Sequence, residues 1–277
     1  MDYLTDIDAT TPDFAEYWDE LPLWSAPFGM MLLDRVPLRA GAAMLDVGAG
    51  TGFLTIELAQ RCGPASTVIA VDPWASVNAR LRRKLAQLGL TNVTVLEQDA
   101  ATLELPEASL DLVVSNLGIN NFDDPRKVLR VCARALKPGG HLALTTNIVG
   151  HMQEFYDVFR QTLGELGLHD SVPSLEAHIN HRATPESVTS MLSDTGFSDI
   201  AVSRDAFHLR YATGSSFLRH AFIRLGFMPA WKLVVPANEV VRAFTALERN
   251  LNARAAPHGM LSLTIPMAYV EARKQEG

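Results

Sequence analysis

Three glycines at alternate positions, Gly48-x-Gly50-x-Gly52, follow an apolar run that ends in Asp46-Val47 and lead into a helical pattern beginning at Phe53. Glycine at such a turn lets the backbone approach a ligand closely, and the start of the helix offers it free N–H groups. A dinucleotide-binding loop would read G-x-G-x-x-G, but Phe53 stands where its last glycine should fall, which disfavours NAD. Asp46 would repel a pyrophosphate and can attract the positive end of an amino-acid-bearing nucleoside; the plainer role for it is a turn or helix cap. Asp72 and Asp99 follow two later apolar runs. His151, His178 and His181 could take a proton, and Asn120 and Asn121 could orient an acceptor. A single histidine is more often a surface or packing residue, and no triad or metal cluster selects among these three.

These residues sit at the ends of short apolar runs that alternate with helical patterns, as expected of parallel strands joined by crossover helices. Strands are predicted at Met44–Val47, Val68–Val71, Asn92–Glu97, Leu110–Ser115 and His141–Asn147. Helices are predicted at Phe53–Arg61, at Ala75–Leu88 with Gly89 closing it, and at Pro125–Leu136. Pro138-Gly139-Gly140 reads as a sharp turn. Further on come a helix over Met152–Leu166, a polar loop through His178 and His181, and a helix over Pro185–Thr195 with Thr184 as its N-cap. Long strands follow at Phe197–Tyr211 and Leu261–Ala272, separated by residues 214–257 with helical patterns over Phe217–Leu225 and Glu239–Asn252.

With 48% hydrophobic and 20% charged residues the 277-residue chain can build a sizeable core. Its 24 Lys and Arg against 31 Asp and Glu give a net charge of −7, opposite to the footprint of a nucleic-acid binder. The densest basic run, Arg80, Arg82, Arg83 and Lys84, reads as a solvated helix face. Cys62 and Cys132 read as reduced packing residues. Asp123 and Asp124, beside Pro125, read as a helix cap, and no metal is implied. The acidic start lacks a secretory pattern, and no apolar run reaches the roughly 20 residues of a membrane-spanning helix. The expectation is a soluble, cytoplasmic protein without nucleic-acid partner or membrane span.

Five segments in order carry a family resemblance: Leu45-Asp46-Val47-Gly48-Ala49-Gly50-Thr51-Gly52, Val71-Asp72-Pro73, Gln98-Asp99-Ala100, Asp111-Leu112-Val113-Val114-Ser115-Asn116-Leu117 and Leu136-Lys137-Pro138-Gly139-Gly140. Together, over residues from about Leu45 to Leu144, they resemble the class I S-adenosylmethionine-dependent methyltransferases, especially the broad group that includes ubiquinone/menaquinone-biosynthesis methyltransferases. The resemblance implies an α/β fold, a doubly wound, Rossmann-like, seven-stranded and mostly parallel sheet with an antiparallel last strand, and S-adenosylmethionine as cofactor. It implies that Asp46, Gly48, Ala49, Gly50 and Thr51 back onto the methionine and ribose parts, and that Asp72 accepts the ribose hydroxyls. It places Pro73 and Trp74 against adenine, Asp99 under its exocyclic amine, the Ala100 N–H at a ring nitrogen, and Asn116 and Leu117 beside the methionine portion and the acceptor.

Asn116 is followed by Leu117-Gly118-Ile119 rather than the Pro-Pro-aromatic sequence of enzymes that methylate adenine amines or glutamine side chains. Neither cysteine follows a proline, which disfavours methylation of a base carbon, and arsenic methylation would need more cysteines. The expected function is therefore methyl transfer to a small, partly apolar molecule by one domain over 1–277. Residues 1–40 would form an N-terminal helical cover, 41–150 the cofactor-binding core, and 151–277 the substrate-side helices and last two strands, with 214–257 as a helical lid. Phe217, Phe222, Phe227, Met228 and Trp231 would line the acceptor pocket, or else pack helices on the sheet or form a homodimer contact; near the N-terminus Tyr17, Trp18, Trp24 and Phe28 offer the same pair of readings, closing lid or core. A reactive sulfonium methyl asks mainly for alignment and exclusion of water. His151, His181 and Asn120 are the candidates for any catalytic contact. Two alternatives stand beside this one: a methyltransferase acting on RNA or protein, and a non-methylating S-adenosylmethionine-binding member of the fold.

Overall fold

The computed structural model describes residues 2–7, 11, 14–19 and 23–275, except the side chain of Tyr17, whose expected place in lid or core lies outside the described residues. In chain order the elements are α1 (Phe14–Asp19), α2 (Ala26–Leu33), β1 (Ala43–Val47), α3 (Phe53–Arg61), β2 (Thr67–Asp72), α4 (Ala75–Leu88), β3 (Val93–Glu97), β4 (Leu110–Asn116), α5 (Pro125–Ala135) and β5 (Leu136–Asn147). They continue with α6 (Gln153–Glu165), α7 (Val172–Asn180), α8 (Pro185–Ser193), β6 (Phe197–Tyr211), α9 (Gly214–Arg219), α10 (Ala221–Gly226), α11 (Met228–Lys232), α12 (Val240–Ala255) and β7 (Leu261–Lys274). The chain forms two compact units, each assembled from three stretches: Pro12–Asn147, Ala183–Arg204 and Met267–Gly277 in one, and Met1–Thr11, Ile148–Arg182 and Asp205–Pro266 in the other.

The first unit carries the sheet, with strand order β3-β2-β1-β4-β5-β7-β6. β1 pairs in parallel with β2 on one side and β4 on the other, and β7 runs antiparallel to β5, with residues 141–147 paired to 273–267. Strands buried on both faces read as near-continuous apolar runs, and Met44, Leu45, Val47, Val113 and Val114 are all buried. The flanking helices follow their sequence signals. Val77, Leu81 and Leu85 put one face of α4 inside, and Gly89 ends it in the left-handed conformation. Asp124 accepts the Lys127 N–H at the start of α5, so the expected capping role is what the structure shows. Thr184 and Ser187 form a reciprocal capping box on α8. The expected turn at 138–140 is a bulge within β5, since the register with β4 jumps from Leu110–Leu136 to Leu112–His141. Cys62 and Cys132 are both free and buried, and burial pushes the Cys132 thiol up to about 12.

The second unit is helical. Trp231, stacked at 4.1 Å on Phe155 and 5.5 Å on Phe227, sits at its centre, with Phe159 and Phe244 in edge contact at 5.8 Å. Phe217, Phe222, Phe227, Met228 and Trp231, the aromatic-rich set of the insertion, are all buried in this core. The expected helix over Phe217–Leu225 is instead two, because His220 turns extended between α9 and α10 with its ring edge-on to Tyr211. His178 lies on α7 and His181 caps it, where the sequence suggested a polar loop. α9 approaches α12 so closely that a Cβ on Gly214 would lie 2.3 Å from that of Leu251. Tyr3 closes the core from the N-terminus, donating to the Phe244 carbonyl at 3.2 Å and to Glu248 at 2.9 Å.

Candidate active site

In an open parallel sheet, ligands bind beyond the carboxyl ends of the strands where the strand order reverses. Here that point lies between β1 and β4. The loop after β1 places Gly48, Gly50 and Gly52 at φ +73°, +55° and +89°. Side chains are costly there, and two neighbours make them costlier: a Cβ on Gly52 would lie 2.1 Å from Leu81 Cδ1, and one on Gly48 3.2 Å from the Gly118 Cα. At Gly50 nothing comes within 4 Å of such a Cβ, so the backbone there is open to close approach.

The loop after β4 meets the first one. Ser115 Oγ donates to the Val47 carbonyl at 2.8 Å, and Leu117 takes a left-handed conformation at φ +66°. Such strain in a residue with a side chain persists where its surroundings enforce it, often at functional sites. Asn116 accepts from Thr145 Oγ at 2.6 Å and donates to the Ser25 carbonyl at 3.2 Å, which ties β4 to β5 and to the turn before α2.

Asp72 ends β2 with one carboxylate oxygen accepting the Gly50 N–H and the other the Trp74 N–H, both at 3.0 Å. Burial pushes its pKa up, against the pull of those two bonds. A carboxylate has about four acceptor sites, so each oxygen keeps capacity for a further O–H donor. Trp74 beside it is 56% exposed, an aromatic face open to a flat ring. Asp99 caps a short 3-10 turn by accepting the Ala101 N–H at 2.8 Å, and Ala100 is buried within that turn. Asp46 faces inward: it is 1% exposed and accepts from Thr55 Oγ on α3 at 2.6 Å. Burial, with Asp72 adding repulsion, raises its pKa to about 7, while the Thr55 hydroxyl works the other way.

That value has a measurable consequence. Because the folded-state pKa lies above the unfolded one of about 4, the native protein holds the extra proton between them; this contribution to stability is complete below about pH 4 and lost as pH rises through about 7. Asp46→Asn keeps an acceptor for Thr55 without the charge. Its advantage in thermal midpoint over the parent should grow from about pH 4 to about pH 7 and then level off; parallel profiles would refute the shift.

Sequence reasoning missed the role of α1. Arg80 and Lys84 on α4 reach Asp19 at 2.9 and 2.7 Å, Arg83 pairs with Glu16, and Thr51 of the glycine loop also hydrogen-bonds the Asp19 carboxylate. Arg80, Arg83 and Lys84 are thus the docking ridge of the N-terminal helix rather than a merely solvated face. The signal was the i, i+3 spacing of Glu16 and Asp19 against the basic run. Asn78 was also missed: buried on α4, it donates to the Asp72 and Trp74 carbonyls at 2.8 and 2.9 Å, and so fixes the strand end.

The three catalytic candidates are not all in one unit. Asn120 belongs to the sheet unit, where its amide is engaged by Asn147 at 2.9 Å and Thr146 Oγ at 2.5 Å, a clamp between the turn after β4 and the end of β5. His151 and His181 belong to the helical unit. His151 is buried and stacked on Phe227 at 5.4 Å, and burial holds its pKa well below the usual value, so it is neutral; His181 is exposed. Among the described residues, no group of three or more His, Cys, Asp or Glu could hold a metal ion, and no helix is long and apolar enough to cross a membrane.

The surroundings of the glycine loop fit a nucleoside cofactor with a cationic end: carboxylates rather than lysines at the strand ends, an open backbone at Gly50, and an exposed indole. Residues 45–144 match the family described as a methyltransferase domain. Over 256 residues, 89% of this chain and 90% of the other, the sequence is 27% identical to nocamycin O-methyltransferase of Saccharothrix syringae. It is 34% identical over 170 residues to the ubiquinone/menaquinone biosynthesis C-methyltransferase UbiE of Pseudoalteromonas translucida, covering 58% of this chain and 68% of that one. The fold matches that of the YcgJ protein from Bacillus subtilis with a TM-score of 0.59 at 18% identity, over 91% of this chain and all of the other. The chain belongs to the class I S-adenosylmethionine-dependent methyltransferases, and S-adenosylmethionine is its cofactor.

Proposed function

We propose that this enzyme methylates a small, partly apolar molecule and that the helical unit selects it. The observation that carries this reading is the extent of the match to nocamycin O-methyltransferase, which spans 89% of the chain and so runs through the helical unit as well as the cofactor core. Both curated relatives are named for small-molecule methylation, one at oxygen and one at carbon. The net charge of −7 agrees, since it works against a polyanionic acceptor.

Bound S-adenosylmethionine supplies a methyl group already activated on a sulfonium. The protein's own share is positional. Asp72 would hold the ribose hydroxyls while fixing the Gly50 and Trp74 backbone. Trp74 would lie against the adenine ring, and Asp99 and Ala100 would read its edge. Asp46 lies behind the loop, where its hydrogen bond from Thr55 couples the strand to α3. Asn116 and Leu117 would face the reacting end, held there by Thr145 and Ser25.

The test is incubation with methyl-labelled cofactor and a cell extract split by size. Label should enter the low-mass fraction with matching release of S-adenosylhomocysteine. Label confined to RNA or protein would overturn the reading, and so would cofactor binding without transfer to any fraction.

A further inference from the structure

Among the described residues, the helical unit holds a cation that no carboxylate answers. Arg182, just past the end of α7, is partly buried, and its partner among the described residues is the Tyr156 hydroxyl. On α6 and α7, the carboxylates of Glu154, Asp157 and Glu176 are committed elsewhere. Glu154 accepts the Thr264 N–H at 2.9 Å and its hydroxyl at 2.5 Å, and Asp157 and Glu176 bind Arg160 at 3.1 and 2.7 Å. A guanidinium stays charged in any protein, and a charge drawn from water is costly unless an anion meets it.

The groups around Arg182 suit that anion. Tyr156 OH receives the Trp231 indole N–H at 3.2 Å and lies 3.2 Å from His178 Nε2. Burial, with the His181 and Arg182 charges adding to it, takes the His178 pKa down to about 4, so its ring is neutral at pH 7 and adds no competing charge. Exposure is graded from His181, at the surface, through the half-buried His178 and Arg182 to the buried Tyr156, which gives the cluster a side open to water. Behind Tyr156 the wall is aromatic, with Trp231 stacked on Phe155. The arrangement is a planar fork of N–H donors and a phenol on an apolar backing.

We propose that Arg182, with Tyr156 and His178, forms a binding site for the carboxylate of an apolar organic acid, and that this acid is the methyl acceptor or carries the group that anchors it. The fork of a guanidinium matches two carboxylate oxygens at once, as no hydroxyl or ammonium donor does. The second half of the proposal rests on the small-molecule reading above; the site itself does not.

Titration calorimetry on the full chain, with naphthoate and its neutral isostere naphthamide as probes, tests it. Naphthoate should bind about tenfold or more tightly than naphthamide, the margin expected of a charge-assisted hydrogen bond. Arg182→Gln should erase that preference, Arg182→Lys should keep part of it, and S-adenosylhomocysteine affinity serves as the check that each variant is folded. Equal binding of the two probes by the parent enzyme overturns the site even if Arg182→Gln does not fold. Inorganic phosphate displacing naphthoate at equal concentration overturns the carboxylate assignment. Label entering small molecules while naphthoate binds independently of Arg182 would keep the functional reading and discard the site. Arg182-dependent naphthoate binding with label only in macromolecules would do the reverse.

Discussion

Asp72→Ala should weaken S-adenosylhomocysteine binding by about a hundredfold or more while leaving the ligand-free fold nearly as stable as before. The first half follows from the number of bonds that converge on one carboxylate. It accepts the Gly50 and Trp74 N–H groups, and its remaining capacity is what the ribose hydroxyls would use. Hydrogen bonds to a charged group contribute about 1.5–3 kcal/mol each, so two from a ribose correspond to a factor of about a hundred or more. Freeing the glycine loop adds to the loss. The second half follows from the electrostatics: burial already disfavours the Asp72 charge, and its repulsion of Asp46 is relieved by the substitution. Calorimetry read beside thermal unfolding separates the two. Unchanged affinity, or an affinity loss matched by general unfolding, would remove Asp72 from the cofactor site.

Gly52→Ala should instead act on the fold. At φ +89° an alanine carries about 1–2 kcal/mol of backbone strain, and its Cβ would sit 2.1 Å from Leu81 Cδ1, inside contact distance of a fully buried side chain. Overpacking of that kind costs about 1–3 kcal/mol, so the total comes to about 2–5 kcal/mol. Gly50→Ala is the internal comparison. Gly50 too has positive φ, +55°, but nothing lies within 4 Å of the added methyl. Urea denaturation should therefore show a loss at Gly52 about two to three times that at Gly50. Equal losses would mean that Leu81 yields and that the tight contact carries little energy.

The sheet half of the molecule was legible because its signals are local. The helices at Phe53–Arg61 and Ala75–Leu88 end where the sequence placed them, at Arg61 and at Gly89, and the strand over Phe197–Tyr211 matches residue for residue. The left-handed backbone at Gly48 and Gly50, a property of the main chain, could be read from residue type alone. Residues whose role depends on partners distant in sequence could not. Asp19 gains its meaning from Arg80 and Lys84, Asn120 from Asn147, and Arg182 from the absence of a nearby carboxylate among the described residues, none of which periodicity reports. The aromatic groups of the insertion show the same limit from the other side. Their type announced burial, but a core and a pocket use the same residues.

The antiparallel pairing of β7 with β5 has a consequence for how the chain is made. Strands β1 to β5 emerge from the ribosome together and can pair at once, since the residues they need all lie before Asn147. The free side of β5 must wait for residues 267–273, which are translated only after the whole of the helical unit. For that interval the nascent sheet presents an open edge, a template for pairing with other chains. The length of that interval is set by translation of the residues between β5 and β7, a stretch that contains none of the cofactor motifs.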